Sequence, residues 1–287
     1  ARQYEPTAGY EPYTALEASV EWMHRNLMRS ARRFGVSAAG RVNVSDWTVL
    51  PTGEIRYTEP WLWRFRVPTT LRLFYDYNVL PGSTVPIYQW GSDLTFLHSQ
   101  RRRLIFRSIL RYQETVLSER ALRDFGDEAI TQQRRGQERS LGFLFRRDER
   151  DNFLYPKSGY FLEVEPEFFI DIFGGTSDFY RVEGTVSKYW RVLGDATLAG
   201  RVKIGSIHYY DGVTGFVPDY ELFYLGGATS VRGFPSDRLH TREIQTEDGT
   251  RRVASGGFVK LLGNLELRFP IYWKFGGELF LDAGQLW

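Results

Sequence analysis

Apolar side chains recur at every second position over long stretches of this chain. In residues 160–171 the even positions are apolar, whereas three of the odd positions are glutamates. A period of two places successive side chains on opposite faces of an extended backbone, so such segments are predicted to be β-strands with one apolar and one polar face. The same alternation recurs in residues 13–23, 33–45 and 67–78.

The alternation predicts twelve strands, and helical periodicity is poor throughout the chain. Two connections are long, at residues 118–137 and 210–256, and connections of that length in a compact β protein are usually functional or disordered. No linker or domain boundary is evident, so a single all-β domain is predicted. The predicted strands are residues 13–23, 33–45, 54–60, 67–78, 88–98, 102–117, 138–148, 159–171, 178–192, 195–209, 257–269 and 275–284.

The strand faces are compatible with two architectures. Apolar and polar side chains alternate along the strands of soluble sandwiches and also along those of transmembrane barrels. Many of the predicted strands are longer than the usual five or six residues. Aromatic residues reach 16% of the chain and cluster near strand ends, as in the aromatic girdles of membrane barrels. The favoured interpretation is a transmembrane antiparallel β-barrel, and a soluble sandwich or lipocalin-like barrel is the alternative.

The composition of the chain excludes several other classes of protein as interpretations of the sequence. The chain has 37 basic and 35 acidic residues, a balance unlike that of dedicated nucleic-acid-binding proteins. Cysteine is absent, which excludes disulfides and thiolate metal sites. No stretch approaches the roughly eighteen consecutive apolar residues of a membrane-spanning helix, so a helical membrane protein is excluded.

No catalytic residue, metal site or cofactor is predicted. The acidic run of one strand lies on a single face and is interpreted as the lining of a wet lumen, not as an acid/base pair. The histidines lack the spacing of metal ligands. The residues concerned are Glu163, Glu165 and Glu167 for the acidic run, and His24, His98, His208 and His240 for the histidines.

Three segments carry more specific patterns. Residues 146–160 read Asp-x-x-Asp-x(4)-Pro-x-x-Gly, and residues 223–234 join Gly-Gly to Val-Arg-Gly-Phe. Residues 264–287 combine Leu-Glu-x-Arg-x-Pro with Phe-x-Asp-x-Gly. The matching positions are Asp148, Asp151, Pro156 and Gly159 in the first segment, Gly226, Gly227, Val231, Arg232, Gly233 and Phe234 in the second, and Glu266, Pro270, Phe280, Asp282 and Gly284 in the third.

Taken in this order, the three segments resemble the signatures of the bacterial surface antigen family, which includes the outer-membrane assembly factors BamA and TamA. The resemblance extends over essentially the whole chain. It implies an outer-membrane barrel of about sixteen strands that follows periplasmic repeat domains. Residues 1–287 are therefore expected to be a C-terminal barrel domain, truncated at both ends and without the periplasmic repeats.

The resemblance also implies that the loop containing Arg232 folds back into the lumen and that Arg232 meets Glu266 and Asp282 there. The alternation agrees with an inward orientation of both acids, because each lies on the polar parity of its strand. A guanidinium group can bind a carboxylate through two parallel hydrogen bonds. The Gly-Gly and Val-Arg-Gly-Phe residues are thus the candidate functional loop.

The function implied by the resemblance involves no enzyme activity. It is the insertion and folding of β-barrel proteins into the outer membrane through a lateral seam. The expected partners are outer-membrane lipid and lipopolysaccharide, unfolded outer-membrane proteins, and accessory assembly subunits or an inner-membrane partner, with no nucleic acid. Two alternatives stay open: a polypeptide translocator of the two-partner secretion type, and a self-contained twelve-stranded outer-membrane channel.

Overall fold

The structure is a computed structural model, and it describes most of the chain. The described residues are 2–11, 15–43, 49–79, 86–101, 103–117, 135–170, 175, 178–210, 217–246, 249–273 and 275–287.

The described residues form fifteen β-strands and a short 3-10 helix at Asp219–Glu221. All twelve predicted strands are present, with ends that move by a few residues. No helix in the described ranges is long and apolar enough to cross a membrane. The strands are β1 (Arg2–Glu11), β2 (Ala15–Leu27), β3 (Arg32–Asn43), β4 (Val49–Glu59), β5 (Thr69–Val79), β6 (Pro86–Arg101), β7 (Leu104–Leu117), β8 (Arg135–Asp148), β9 (Gly159–Phe169), β10 (Phe179–Arg191), β11 (Thr197–Tyr209), β12 (Thr241–Thr246), β13 (Gly249–Ala254), β14 (Val259–Tyr272) and β15 (Phe275–Leu286).

Thirteen of the strands form one antiparallel sheet in the order β1 to β11, then β14 and β15. Each strand pairs with its neighbours in the chain, except that β11 pairs with β14 across the long connection. In the described part of the chain β1 pairs only with β2, and β15 pairs only with β14. A closed twelve-stranded channel is therefore not the arrangement found.

The alternation did not predict three strands. In β1, Pro6 and Gly9 interrupt the apolar parity, and both residues weaken a strand signal. The segment 210–256 was predicted to be a single long connection, but it contains the hairpin of β12 and β13. This hairpin is rich in charged residues and forms a separate two-stranded sheet, so the apolar alternation that marks the other strands is missing from it.

The two faces of the large sheet differ in chemistry. The outer face presents apolar side chains in rows that run across paired strands, as in Trp190, Leu198 and Leu267. The inner face, against which residues 217–239 pack, carries ion pairs such as Arg181 with Glu167 at 2.9 Å and Lys260 with Glu183 at 2.6 Å. The acidic run of β9 lies on this inner face, as the alternation predicts.

The connections alternate between the two ends of the sheet because every strand pair is antiparallel. At one end, called here the short-turn end, the chain passes from β2 to β3, β4 to β5, β6 to β7, β8 to β9, β10 to β11 and β14 to β15. At the other, the long-loop end, it passes from β1 to β2, β3 to β4, β5 to β6, β7 to β8, β9 to β10 and β11 to β14. Outer-membrane barrels place their short turns in the periplasm and their longer loops outside the cell.

A lipid-facing outer surface makes a testable prediction about stability. Leu265 lies near the middle of β14 on the outer face, and Lys203 lies on the inner face of the neighbouring β11. Leu265→Arg should lower the free energy of unfolding in lipid vesicles by about 2–4 kcal/mol, because a charged side chain near the bilayer midplane loses its hydration. Urea titration followed by tryptophan fluorescence measures this change.

The control is Lys203→Ala, which removes a charge from the inner face and should change stability little. If Leu265→Arg were tolerated as well as the control, the outer face would not be the lipid face.

Candidate functional site

The Gly-Gly and Val-Arg-Gly-Phe residues form a compact turn within the segment between β11 and β14. The Gly227 N–H donates to the Phe234 carbonyl oxygen at 3.0 Å, and the Ser230 N–H donates to the Gly227 carbonyl oxygen at 3.1 Å. Gly226, Gly227 and Gly233 have φ values of 120°, 93° and 93°. Residues with a Cβ rarely adopt these values, so glycine is needed for the chain to reverse here.

This turn places Arg232 against β15. The Arg232 Nε and Nη2 atoms each donate to a different oxygen of Asp282, both at 2.7 Å, and the Arg232 backbone N–H also donates to Asp282 at 3.0 Å. Arg232 Nη2 lies 3.0 Å from Glu266, and Nη1 lies 2.8 Å from Glu278. One cation thus faces three carboxylates on two adjacent strands.

The contact continues beyond the charged groups. The Arg232 guanidinium carbon lies 3.8 Å from the ring centroid of Phe280, a favourable cation–π geometry. Asn264 donates to Asp282 at 2.7 Å and to the Ser230 carbonyl oxygen at 2.8 Å. The Asp282 side chain is only 3% exposed, so its charge depends on these donors. We call Arg232, Glu266, Glu278, Asp282 and Asn264 the latch.

An apolar contact next to Arg232 also holds the turn against the sheet. Val231 is buried with Leu225 and Leu286 in a cluster between the segment and the sheet. A Cβ atom on Gly284 would lie 2.8 Å from Val231 Cγ2, closer than side-chain packing allows. The glycine of the Phe-x-Asp-x-Gly pattern therefore leaves room for the residue that precedes Arg232.

A second charged contact fixes the start of the segment. The Arg181 guanidinium on β10 donates to Glu221 at 2.5 Å and to Glu167 at 2.9 Å. Arg111 on β7 also contacts Glu167, at 3.4 Å. Burial raises the pKa of Glu221, and the charge of Arg181 opposes that rise. The segment is thus tied to the inner face at two places, Glu221 and Arg232.

The Asp-x-x-Asp signature has a different location, since it forms the β8–β9 turn at the short-turn end. Asp151 Oδ1 accepts the backbone N–H groups of Asn152, Lys157 and Ser158 at 2.9–3.1 Å. Asp148 binds Arg150 through both carboxylate oxygens. Gly159 has a φ of 101° and lies against the backbone of Glu149.

The positions matched by resemblance therefore separate into two groups. The structure brings the loop motif together with Glu266 and Asp282, whereas Asp148, Asp151, Pro156 and Gly159 shape a turn at the other end of the sheet. Phe234 follows the tight turn but is 47% exposed. The Asp-x-x-Asp signature thus shapes a local turn in this structure and is separate from the latch.

Some contributors to the latch lay outside the motifs. Glu278 has the same parity as Asp282, so the alternation places it on the inner face. Asn264 and Arg201 gave no comparable signal, because a single polar residue at an inward position is common to every strand. Arg201 donates to Asn264 at 2.9 Å and to the Thr229 carbonyl oxygen at 2.8 Å. Only the packing of the segment on β11 and β14 reveals this role.

The acidic run and the histidines take no part in a cluster that could hold a metal. Among the described residues no group of three or more His, Asp or Glu side chains has that geometry. Glu163 pairs with Arg146, and Glu167 pairs with Arg111 and Arg181. These carboxylates are thus part of the charge network of the inner face.

Comparison with known proteins places this architecture in a family. The Omp85 superfamily domain matches residues 35–287. The chain belongs to the Omp85 superfamily. It is an outer-membrane β-barrel protein, as the resemblance predicts, and the inner face of its sheet is the lumenal face.

Two BamA proteins are similar to this chain in sequence, each over less than half of its length. The chain is 30% identical over 131 residues to the outer membrane protein assembly factor BamA of Nitratidesulfovibrio vulgaris, covering 44% of this chain and 16% of that protein. It is also 30% identical over 146 residues to BamA of Neisseria meningitidis serogroup B, covering 49% of this chain and 18% of that protein. The aligned region is thus less than a fifth of either relative.

A solved structure shows the fold over the whole chain. The crystal structure of BamA from Haemophilus ducreyi lacking POTRA domains 1–3 superposes with a TM-score of 0.81 at 18% identity, covering 100% of this chain and 57% of that one. This similarity confirms the β-barrel fold.

The latch predicts unequal contributions from its carboxylates. Asp282→Ala removes the acceptor of three Arg232 hydrogen bonds and one Asn264 hydrogen bond, whereas Glu278→Ala removes the acceptor of one Arg232 hydrogen bond and an ion pair with Arg268. The first change should lower the free energy of local opening of residues 226–234 by about 2 kcal/mol, and the second by clearly less. Amide hydrogen exchange across the turn measures both changes, and equal effects would contradict the assigned geometry.

The Asp-x-x-Asp signature leads to a separate prediction, which concerns the pH dependence of order in the β8–β9 turn. Backbone donors, Ser158 first, hold the pKa of Asp151 below its ordinary value. The contribution of Asp151 to turn order is therefore complete above about pH 4 and is lost as the pH falls through the lowered pKa. Hydrogen-exchange protection of the Lys157 and Ser158 amides should fall over this acid range, and Asp151→Asn should remove the dependence. Protection that is constant with pH in the unmodified chain would show that Asp151 does not control the turn.

Proposed function

We propose that this chain is the barrel of an outer-membrane protein assembly factor, which inserts and folds β-barrel proteins through a lateral opening of its wall. The single observation that carries the proposal is the latch, which joins the lumenal segment to β14 and β15 through one arginine and three carboxylates. The supporting similarity is to BamA proteins, both in sequence and in fold.

The latch acts by fixing the orientation of two neighbouring strands. Arg232 bridges Glu266 on β14 and Asp282 on β15, so a relative slide of these strands would lengthen at least one ion pair. The turn glycines hold the Arg232 backbone in place while its side chain makes these contacts. The latch thus keeps this part of the wall in a defined register.

In the proposed activity, a client strand pairs with a strand edge of the barrel by β-augmentation. Unpaired N–H and C=O groups at an edge supply the template. Pairing is favoured in the membrane because no water is available to form hydrogen bonds with these groups. The proposed clients are unfolded outer-membrane proteins, and the remaining parts of the assembly machinery are accessory subunits. No covalent chemistry is part of this mechanism.

Substitution of the latch arginine tests the proposal. In a cell depleted of its own copy, the complete protein carrying Arg232→Ala should restore barrel assembly poorly while retaining normal strand content. Arg232→Lys should also be impaired, because an ammonium group cannot make the two parallel hydrogen bonds to Asp282. Growth, the abundance of folded outer-membrane proteins and circular dichroism measure these outcomes.

The matched control is Arg252→Ala, which changes an exposed arginine in the β13 strand of the same segment. It should complement fully. Full complementation by Arg232→Ala would refute the role of the latch in assembly. Failure of the unmodified protein to restore assembly, with normal secretion of a single dedicated client, would refute assembly itself and favour a translocator.

A further inference from the structure

The connection 60–68 between β4 and β5 forms a tight turn at the short-turn end. Leu62 and Phe65 exchange two backbone hydrogen bonds, each 3.0 Å long, which closes the turn around Trp63 and Arg64. Trp63 has a φ of 55°, a conformation that costs energy for a residue with a Cβ. The turn thus has a defined backbone shape and a tryptophan at its tip.

This turn exposes three large aromatic side chains. Trp63 is 90% exposed, Phe65 is 62% exposed and Trp61 is 51% exposed. Aromatic rings contribute to stability mainly when they leave water, so three exposed rings within residues 61–66 indicate a surface that contacts something apolar.

The position of the turn relative to the membrane follows from the strands that enter and leave it. The outer faces of β4 and β5 are apolar at Ile55, Leu71 and Leu73. This apolar stripe ends at the ion pair of Arg32 with Glu59, whose atoms lie 2.7 Å apart. Residues 60–68 follow directly after Glu59, so the turn lies where the hydrocarbon core gives way to the headgroups. Tryptophan is enriched at that depth.

The charges of the turn fit an anionic headgroup. Arg64 and Arg66 are exposed, and within the described ranges neither has a carboxylate partner. The Arg66 guanidinium carbon lies 5.9 Å from the ring centroid of Trp61, so this arginine is held beside an exposed aromatic ring. Two other basic residues at this end do have carboxylate partners: Arg103 pairs with Glu149, and Lys157 pairs with Asp195 at 2.7 Å. Two free guanidinium groups can bind phosphate oxygens.

We propose that the turn from Trp61 to Arg66 is a binding site for anionic phospholipid at the short-turn face of the membrane. Trp61, Trp63 and Phe65 enter the interfacial layer, and Arg64 and Arg66 bind lipid phosphates. The closed backbone turn presents both groups in a fixed arrangement, so little conformational freedom is lost on binding. The inference depends on the barrel fold and is independent of the proposed assembly function.

A lipid surface explains the turn better than a protein partner does. The turn follows directly after the polar end of the lipid-facing stripe, where Glu59 pairs with Arg32 and lies opposite Thr69. Other connections at this end also expose aromatic rings, including Phe153, Tyr155 and Trp273. Exposed aromatic residues at one end of the sheet match an interfacial girdle.

The absence of cysteine allows single-site labelling of the whole chain. Trp63→Cys and, separately, Phe65→Cys are labelled with an environment-sensitive fluorophore, and the protein is placed in bilayer nanodiscs. The quencher is a nitroxide attached to the headgroup of either phosphatidylglycerol or phosphatidylcholine. Ser236→Cys, an exposed position in the lumenal segment, is the control. Heat-modifiable migration on gels verifies that each variant is folded.

We expect strong quenching at position 63 or 65 and little quenching at 236. Quenching by phosphatidylglycerol should exceed that by phosphatidylcholine. In the Phe65→Cys background, Arg64→Gln and Arg66→Gln should each reduce the preference for the anionic lipid by about fivefold. Arg103→Gln, which removes a paired arginine from the same end, should leave the preference unchanged.

Three results would overturn the proposal. The first is quenching at positions 63 and 65 no greater than at 236. The second is quenching without any preference for phosphatidylglycerol, and the third is a preference that survives removal of both arginines. A label that is shielded from aqueous iodide yet not quenched by lipid would assign the turn to a protein contact instead.

Discussion

The structure depends on one constraint: a backbone that crosses a bilayer must pair its N–H and C=O groups, because lipid offers no partner for them. Thirteen antiparallel strands pair in a single sheet, and among the described residues only β1 and β15 have one partner strand in place of two. Because the strands alternate in direction, the connections divide between two ends. The long segment that carries Arg232 and the short turn that carries Trp63 therefore belong to opposite ends of the same sheet.

Strand pairing gives the sheet two faces that require different side chains. The outer face meets lipid and is filled by apolar rows. The lumenal face carries many charges in a space partly occupied by the segment 217–258, so those charges must find partners. Arg181 and Arg232 do this by binding carboxylates of the wall and, for Arg181, of the segment itself. Ion pairing on the lumenal face is thus what positions the candidate functional loop.

The alternation predicted much of this architecture because a period of two is a direct consequence of strand geometry. It located the long strands, the polar parity and the inward orientation of Glu266 and Asp282. It missed β1, where Pro6 and Gly9 break the pattern, and the β12–β13 hairpin, which has no apolar face. The spacing within one strand also did not separate the Asp-x-x-Asp turn from the latch, because the end of the sheet that a motif occupies follows from the antiparallel order of the strands.

The sequence by itself determined which side chains face lipid, which face the lumen, and which short motifs the chain carries, because these properties depend on local alternation and on residue identity. The tertiary structure alone decided that Arg232 reaches Glu278 as well as Asp282, that Asn264 and Arg201 support the contact, and that Glu221 anchors the segment on Arg181. Each of these contacts joins residues far apart in the chain. Their distances are set by strand register and by how the segment packs in the lumen.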